Sequence, residues 1–266
     1  MKHFVSSTRF WMGLLSICWL LAGTTQVQAA TPPSTSVITA HTTAFLHKFV
    51  DKEGKVNYQA IQRNPGQLAN LLAEIAAFDV AKANMADQYA FYLNAYNVLV
   101  IGEIVAHYPL TSVQDMPGFF NRTQLSIAGQ QLTLDQIETD KLRKIYDDPR
   151  LHFALVCGTN SCPRLSRAAY VGKELFVQLN NQARFALLDP NYVKVDPATK
   201  KVLLPEIFKW YDSDFSASGS SGVMYVNKFR QEDRLPTWYT VEYYPYNWSL
   251  NDQKLLPSSV AELQPK

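Results

Sequence analysis

Residues 86–107 read ADQYAFYLNAYNVLVIGEIVAH, and this stretch decides the fold. Tyr89, Phe91, Leu93, Tyr96, Leu99, Val100, Ile104 and Val105 wrap most of a helical surface. A helix that is apolar nearly all round is buried, so this one is expected to be the central pillar of the domain. Tyr108-Pro109 ends it, since proline cannot continue a helix. Asn94, Asn97 and Glu103 interrupt the apolar run, which therefore does not read as a membrane span.

Outward from the pillar, helical and strand patterns alternate without an internal repeat or a low-complexity tract. A short helix around Ala44–Val50 leads into the Gly54 turn of DKEGKVNY (Asp51–Tyr58), and a second helix follows over Gln67–Phe78. The Asp51 turn lacks the ligand spacing of a calcium loop. Thr123–Leu134 alternates around Ala128-Gly129 as a hairpin does, and Thr133–Tyr146 is helical. Leu151–Val156 reads as a strand, with Leu151, Phe153 and Leu155 on one face. A helix over Lys173–Leu188 and a hairpin over Tyr192–Leu204 come next. A loop at Ser216–Gly222, a helix over Val223–Glu232 and a strand over Thr237–Tyr244 complete the pattern. The aromatic run WYTVEYYPYNW (Trp238–Trp248) could form a ligand platform, but a strand packed on the core accounts for it more simply. Together these predict one α+β domain, mainly helical, with a small antiparallel sheet.

The N-terminus has a different character. Met1–Arg9 carries Lys2 and Arg9 and no acid, Phe10–Gly23 is an apolar run, and Val27-Gln28-Ala29 supplies small residues for cleavage. That is the pattern of a secretory signal peptide over 1–29, with Cys18 discarded along with it. A flexible leader over 30–40, a domain over 41–255 and a C-terminal tail over 256–266 are expected to follow, in a periplasmic or secreted protein. Without Lys2 and Arg9, Lys+Arg falls from 25 to 23 against 23 Asp+Glu. A neutral chain argues against a nucleic-acid partner. With 47% hydrophobic residues, the chain can bury a large core and needs no disulfide to fold.

The chemistry gathers in LHFALVCGTNSCP (Leu151–Pro163), which holds His152, Cys157 and Cys162. A cysteine attacks as its thiolate, so a reactive one sits near a histidine or a helix N-terminus. Pro163 is suited to the first turn of a helix, which would place the Cys162 sulfur at a helix N-cap. His152 would then be the base, oriented by Asn94, Asn97 or Glu138, although the two asparagines fit equally well as partners of neighbouring loop backbone, since buried amides need partners. This is the Cys-His-Asn logic of papain-like and transglutaminase-like hydrolases, with the histidine ahead of the cysteine. A disulfide across C-x4-C is the competing reading, because exported chains live where disulfides persist; closing so short a loop contributes about 2 kcal/mol. His152, Cys157 and Cys162 make only three metal ligands where structural zinc takes four, so neither a metal nor another cofactor is expected. Glu138 and Arg143 lie five apart, too far for an ideal helical pair, and Arg150 is the expected partner of Glu138.

AFYLNAYNVLV (Ala90–Val100), LDQIETDKLR (Leu134–Arg143) and DPRLHFALVCGTNSCP (Asp148–Pro163) together resemble the domain-of-unknown-function 547 family. DKEGKVNYQAI (Asp51–Ile61), LPEIFKWYDSDF (Leu204–Phe215) and YNWSLN (Tyr246–Asn251) fit the same family in the same order. The resemblance spans about 45–251 and implies an exported protein. By position it implies a site made of Asn94, Asn97, Glu138, Arg143, Arg150, His152, Cys157 and Cys162. Many bacterial members carry histidine where this chain has Thr139. Two functions follow as alternatives: a thiol-dependent hydrolase or acyltransferase on an amide or ester, or a periplasmic binding or assembly module whose cysteines are bridged. Either would take a small-molecule or peptide-like ligand.

Overall fold

Chain order is set first by where side chains can cap helices. In the computed structural model, which describes residues 32–216 and 221–253, the Ser34 hydroxyl accepts from the Val37 N–H and starts α1, Thr35–Phe49. α1 buries Ile38, Thr42, Phe45, Leu46 and Phe49, so most of the stretch expected as a flexible leader over 30–40 is ordered helix. The signal peptide expected over 1–29, the tail over 256–266 and positions 217–220 of the Ser216–Gly222 loop lie outside the described residues. Asp51 then turns the chain by accepting from the N–H groups of Glu53 and Lys55. α2 is Tyr58–Arg63 and α3 is Gly66–Ala77.

α4, Met85–His107, is the pillar. Asn84 caps it by accepting from the Asp87 N–H at 3.0 Å. It is the one described helix long and apolar enough to cross a bilayer. Its surface is instead covered by α1, α2, α3 and the segment 137–143. Each large apolar side chain buried this way contributes about 1.5–3 kcal/mol.

β1 (Leu125–Ile127) and β2 (Gln130–Leu132) form the expected hairpin. Ala128 and Gly129 both have positive φ, as a two-residue type I′ turn requires. α5, Leu134–Gln136, opens with a capping box between Thr133 and Gln136. It passes into a π-helical segment, Ile137–Arg143, and then α6, Lys144–Tyr146. α7 is Leu175–Leu188; β3 (Lys194–Asp196), β4 (Lys201–Pro205), α8 (Ile207–Trp210), α9 (Asp212–Ser216), α10 (Gly222–Asn227) and β5 (Thr240–Tyr244) follow. The architecture is α+β, as expected, with one difference in the sheet. β3 and β4 are antiparallel, but β5 pairs with β4 in parallel, Lys201 opposite Thr240 through Pro205 opposite Tyr244. Parallel pairing brings the ends of β4 and β5 to the same edge, so the aromatics following each strand converge there.

Leu151–Val156 is not a strand. Asp148 accepts from the Arg150 N–H and Pro149 begins a 3-10 turn over Pro149–Phe153, after which the chain is irregular through Cys157. All six residues from Leu151 to Val156 are buried, so the alternation read from the sequence marks no exposed face. Buried irregular backbone must find partners, and α4 supplies them. Asn97 Nδ2 donates to the Ala154 carbonyl at 2.9 Å while the Val156 N–H donates to Asn97 Oδ1 at 2.8 Å. One turn earlier, Asn94 does the same for Tyr170, at 2.9 and 2.8 Å. Gly158, at φ +78°, then lies so close to α4 that a Cβ there would collide with Ile104.

Asn97→Ala leaves a buried N–H and a buried carbonyl unpaired, each costing about 1–3 kcal/mol. The expected result is a loss of about 2–4 kcal/mol in urea unfolding, with Asn97→Asp intermediate because it still accepts from Val156.

Candidate functional site

The loop from Cys157 to Cys162 brings its two sulfurs to disulfide distance, with the Cα atoms 6.4 Å apart. That separation lies within the range of about 4.4–6.8 Å that bridges span. Polar hydrogens crowd the pair. The Cys157 N–H donates to the Cys162 sulfur at 3.0 Å, and the Tyr246 hydroxyl lies 3.0 Å from one sulfur and 3.1 Å from the other. The Thr159 hydroxyl donates to the Tyr246 oxygen at 2.9 Å, which turns the phenol's own proton towards sulfur. Burial pushes the Tyr246 phenol up to about 12, against the opposing hydrogen bond from Thr159, so it stays a donor at neutral pH. The C-terminal segment fixes this loop in place: Asn160 N–H donates to Ser249 at 2.8 Å, and Asn251 N–H donates to Gly158 at 3.0 Å.

His152 has a different partner. Its Nε2 lies 2.8 Å from Asp214 Oδ2, and Arg143 grips the same carboxylate through Nε and Nη2 at 2.8 and 2.9 Å. A two-pronged guanidinium–carboxylate contact fixes orientation as well as charge. The hydrogen bond from His152, followed by that from Arg143, holds the Asp214 carboxyl well below the usual carboxylate range. The imidazole is packed against Tyr211, with centroids 4.1 Å apart, and Phe215 at 5.3 Å.

Both sulfurs and His152 line a cavity of about 320 Å³. Tyr96, Phe120, Trp210, Tyr211, Tyr246 and Trp248 form its aromatic wall, and Asp135 and Glu138 are its carboxylates. Burial, then Glu138, raises the Tyr211 phenol well above its ordinary value. A larger hollow of about 790 Å³ shares Cys162 and Pro163 with this one and extends over Lys55, Arg164 and Lys194. The smaller cavity is the candidate site, because the sulfurs, the imidazole and the carboxylates meet there. Among the described residues, no group of three or more His, Cys, Asp or Glu side chains is placed to hold a metal ion.

Several expected roles change. Of the two roles open to Asn94 and Asn97, they take that of bonding loop backbone, and it is Asp214 that orients His152. Cys162 is not a helix N-cap, since irregular chain follows Pro163. Arg150 pairs with Asp148 at 2.6 Å and not with Glu138. Arg143, the other basic residue, binds Asp214. Glu138 and Arg143 sit in a π-helical segment whose hydrogen bonds run from i to i+5, a widening that spacing in the sequence does not announce. Thr139, the position where many bacterial members of the resembled family carry histidine, lines a separate hollow with Arg143 and Asp214. Asp214, Trp210 and Tyr211 were missed, and Tyr246 and Trp248, which could have been read as a ligand platform, were assigned to a core-packed strand. Two of the family-like segments, Leu204–Phe215 and Tyr246–Asn251, contain them, but nothing local links those segments to the cysteines.

The fold and site define an α+β domain with an aromatic cavity built over a C-x4-C loop. Residues 80–185 match the family described as Protein of unknown function, DUF547. This match is shorter than the resemblance over 45–251; it covers α4, the π-helical segment and the cysteine loop and ends within α7. Trp210, Asp214, Tyr246 and Trp248 lie beyond it. No curated protein and no solved structure matches the chain.

Asp214→Asn is expected to destabilise the protein by about 1–3 kcal/mol at neutral pH. A depressed carboxyl contributes stability above its unfolded pKa and loses it as pH falls through the folded value. The gap between wild type and variant is therefore expected to stay constant from pH 7 to about 5 and to begin narrowing as pH falls below about 4, read from urea midpoints between pH 3 and 7.

Proposed function

We propose that the chain is an exported ligand-binding module in which Cys157 and Cys162 are bridged and form part of the cavity floor. The observation that carries this is the partnering of the would-be catalytic groups. The sulfurs face each other, Tyr246 and Thr159, while the His152 nitrogen that makes a hydrogen bond makes it to Asp214. A thiol nucleophile and its base are recognised by a hydrogen bond between them, and here each is engaged elsewhere. The apolar N-terminal run supports export, and an exported chain meets the oxidising conditions in which a bridge persists.

A thiol-dependent hydrolase or acyltransferase is the second reading, favoured by His152 and both sulfurs lining one cavity. It requires the bridge to be reduced first by an external thiol. One cysteine thiolate would then attack the carbonyl carbon of an amide or ester, with His152 accepting the thiol proton and passing it to the departing amine or alcohol. Tyr246 would stabilise the thiolate by hydrogen bonding.

Iodoacetamide labelling from pH 5 to 9, mapped by peptide mass with and without reductant, separates the two. The binding-module reading predicts no labelling at Cys157 or Cys162 until reductant is added. Rapid labelling of one cysteine in unreduced protein, well below the free-thiol pKa of about 8.5, overturns it in favour of the enzyme.

A further inference from the structure

Resting on the reading of the 320 Å³ hollow as a binding cavity, we propose that its ligand is an organic cation with N–H donors, an alkylammonium or a guanidinium group. Charge is the first argument. Asp135 and Glu138 line the cavity, and no lysine or arginine does. Neither carboxylate forms an ion pair among the described residues. The imidazole on the wall, His152, is committed to Asp214. Burial pushes the Asp135 carboxyl up, the direction expected when a negative charge loses water and gains no cation.

The aromatic wall is the second, independent argument. Trp210, Tyr246 and Trp248 pack on one another, with centroids 4.9, 4.6 and 5.7 Å apart. Arg143 covers Tyr211 at 4.8 Å, yet among the described residues no lysine or arginine lies over this trio. Trp210 remains 46% exposed, so its ring is open to a ligand. Indole and phenol faces attract cations, and carboxylates accept from ammonium or guanidinium N–H groups. An anion would meet two carboxylates and ring faces of the same sign. A neutral apolar molecule would desolvate both carboxylates without pairing them.

The test uses oxidised full-length mature protein and three probes that share one body: phenethylamine, 2-phenylethanol and phenylacetate. Agmatine serves as the guanidinium probe. Binding is read by tryptophan fluorescence and calorimetry. Phenethylamine and agmatine are expected to bind at least about tenfold more tightly than the alcohol, a difference of about 1.4 kcal/mol, and phenylacetate least. Glu138→Gln and Asp135→Asn, both near-isosteric and checked for fold by circular dichroism, are expected to weaken the amines about tenfold and leave the alcohol unchanged. Equal binding of amine and alcohol, or amine binding indifferent to both substitutions, overturns the cation inference while leaving the cavity a binding site. Failure of every probe to bind overturns the inference as well, and labelling of a free, reactive cysteine would show that the binding reading had failed beneath it.

Discussion

Two asparagine amides on a buried helix hold the rest of this structure together. α4 is enclosed by apolar contacts, which give no reason for irregular chain to settle against it in one register. Asn94 and Asn97 supply that reason. Each closes a two-bonded ring with a stretch of backbone that has no strand partner, Tyr170 in one case and Ala154 with Val156 in the other. A buried amide of this kind is costly if unpaired and specific when paired. Three positions apart, the two side chains lie on neighbouring parts of one helix face. His152 and Cys157 flank the Asn97 clamp, so it fixes the distance between imidazole and sulfur without touching either.

The second half of the site comes from a different element. The parallel pairing of β4 with β5 brings Trp210 and Tyr211, just after one strand, to the same edge as Tyr246 and Trp248, just after the other. The C-terminal segment continues along the cysteine loop through Ser249 and Asn251. The cavity is thus a seam between α4 with its clamped loops and the small sheet with α8 and α9. The His152–Asp214–Arg143 cluster spans that seam, because Arg143 and His152 belong to one side and Asp214 to the other.

What could be read from the sequence follows from the range of the forces involved. α4 and the β1–β2 hairpin were legible because their signals, all-round apolarity and period-two alternation about Ala128-Gly129, are local. The cysteines and His152 stood out as chemistry-bearing types in a short span. Leu151–Val156 misled because alternating identity implies a strand only when one face is wet, and here neither is. Asp214 and the Trp210, Tyr246 and Trp248 rings were illegible for another reason: β4 and β5 pair across more than thirty residues of sequence, and no local pattern announces a parallel partner. The asparagines were legible as positions but not as to task, orienting His152 or bonding loop backbone, since an amide's type does not say whether it serves a side chain or a backbone.

The central claim is that the amide clamps, and not a strand ladder, secure the segment carrying the site. Residue-resolved amide hydrogen exchange of the wild-type protein tests it most directly. The N–H groups of Val156 and Tyr170 are predicted to be protected to the same degree as the core of α4, opening only with global unfolding. Exchange of either at the rate of an exposed loop, while α4 stays protected, would contradict the account.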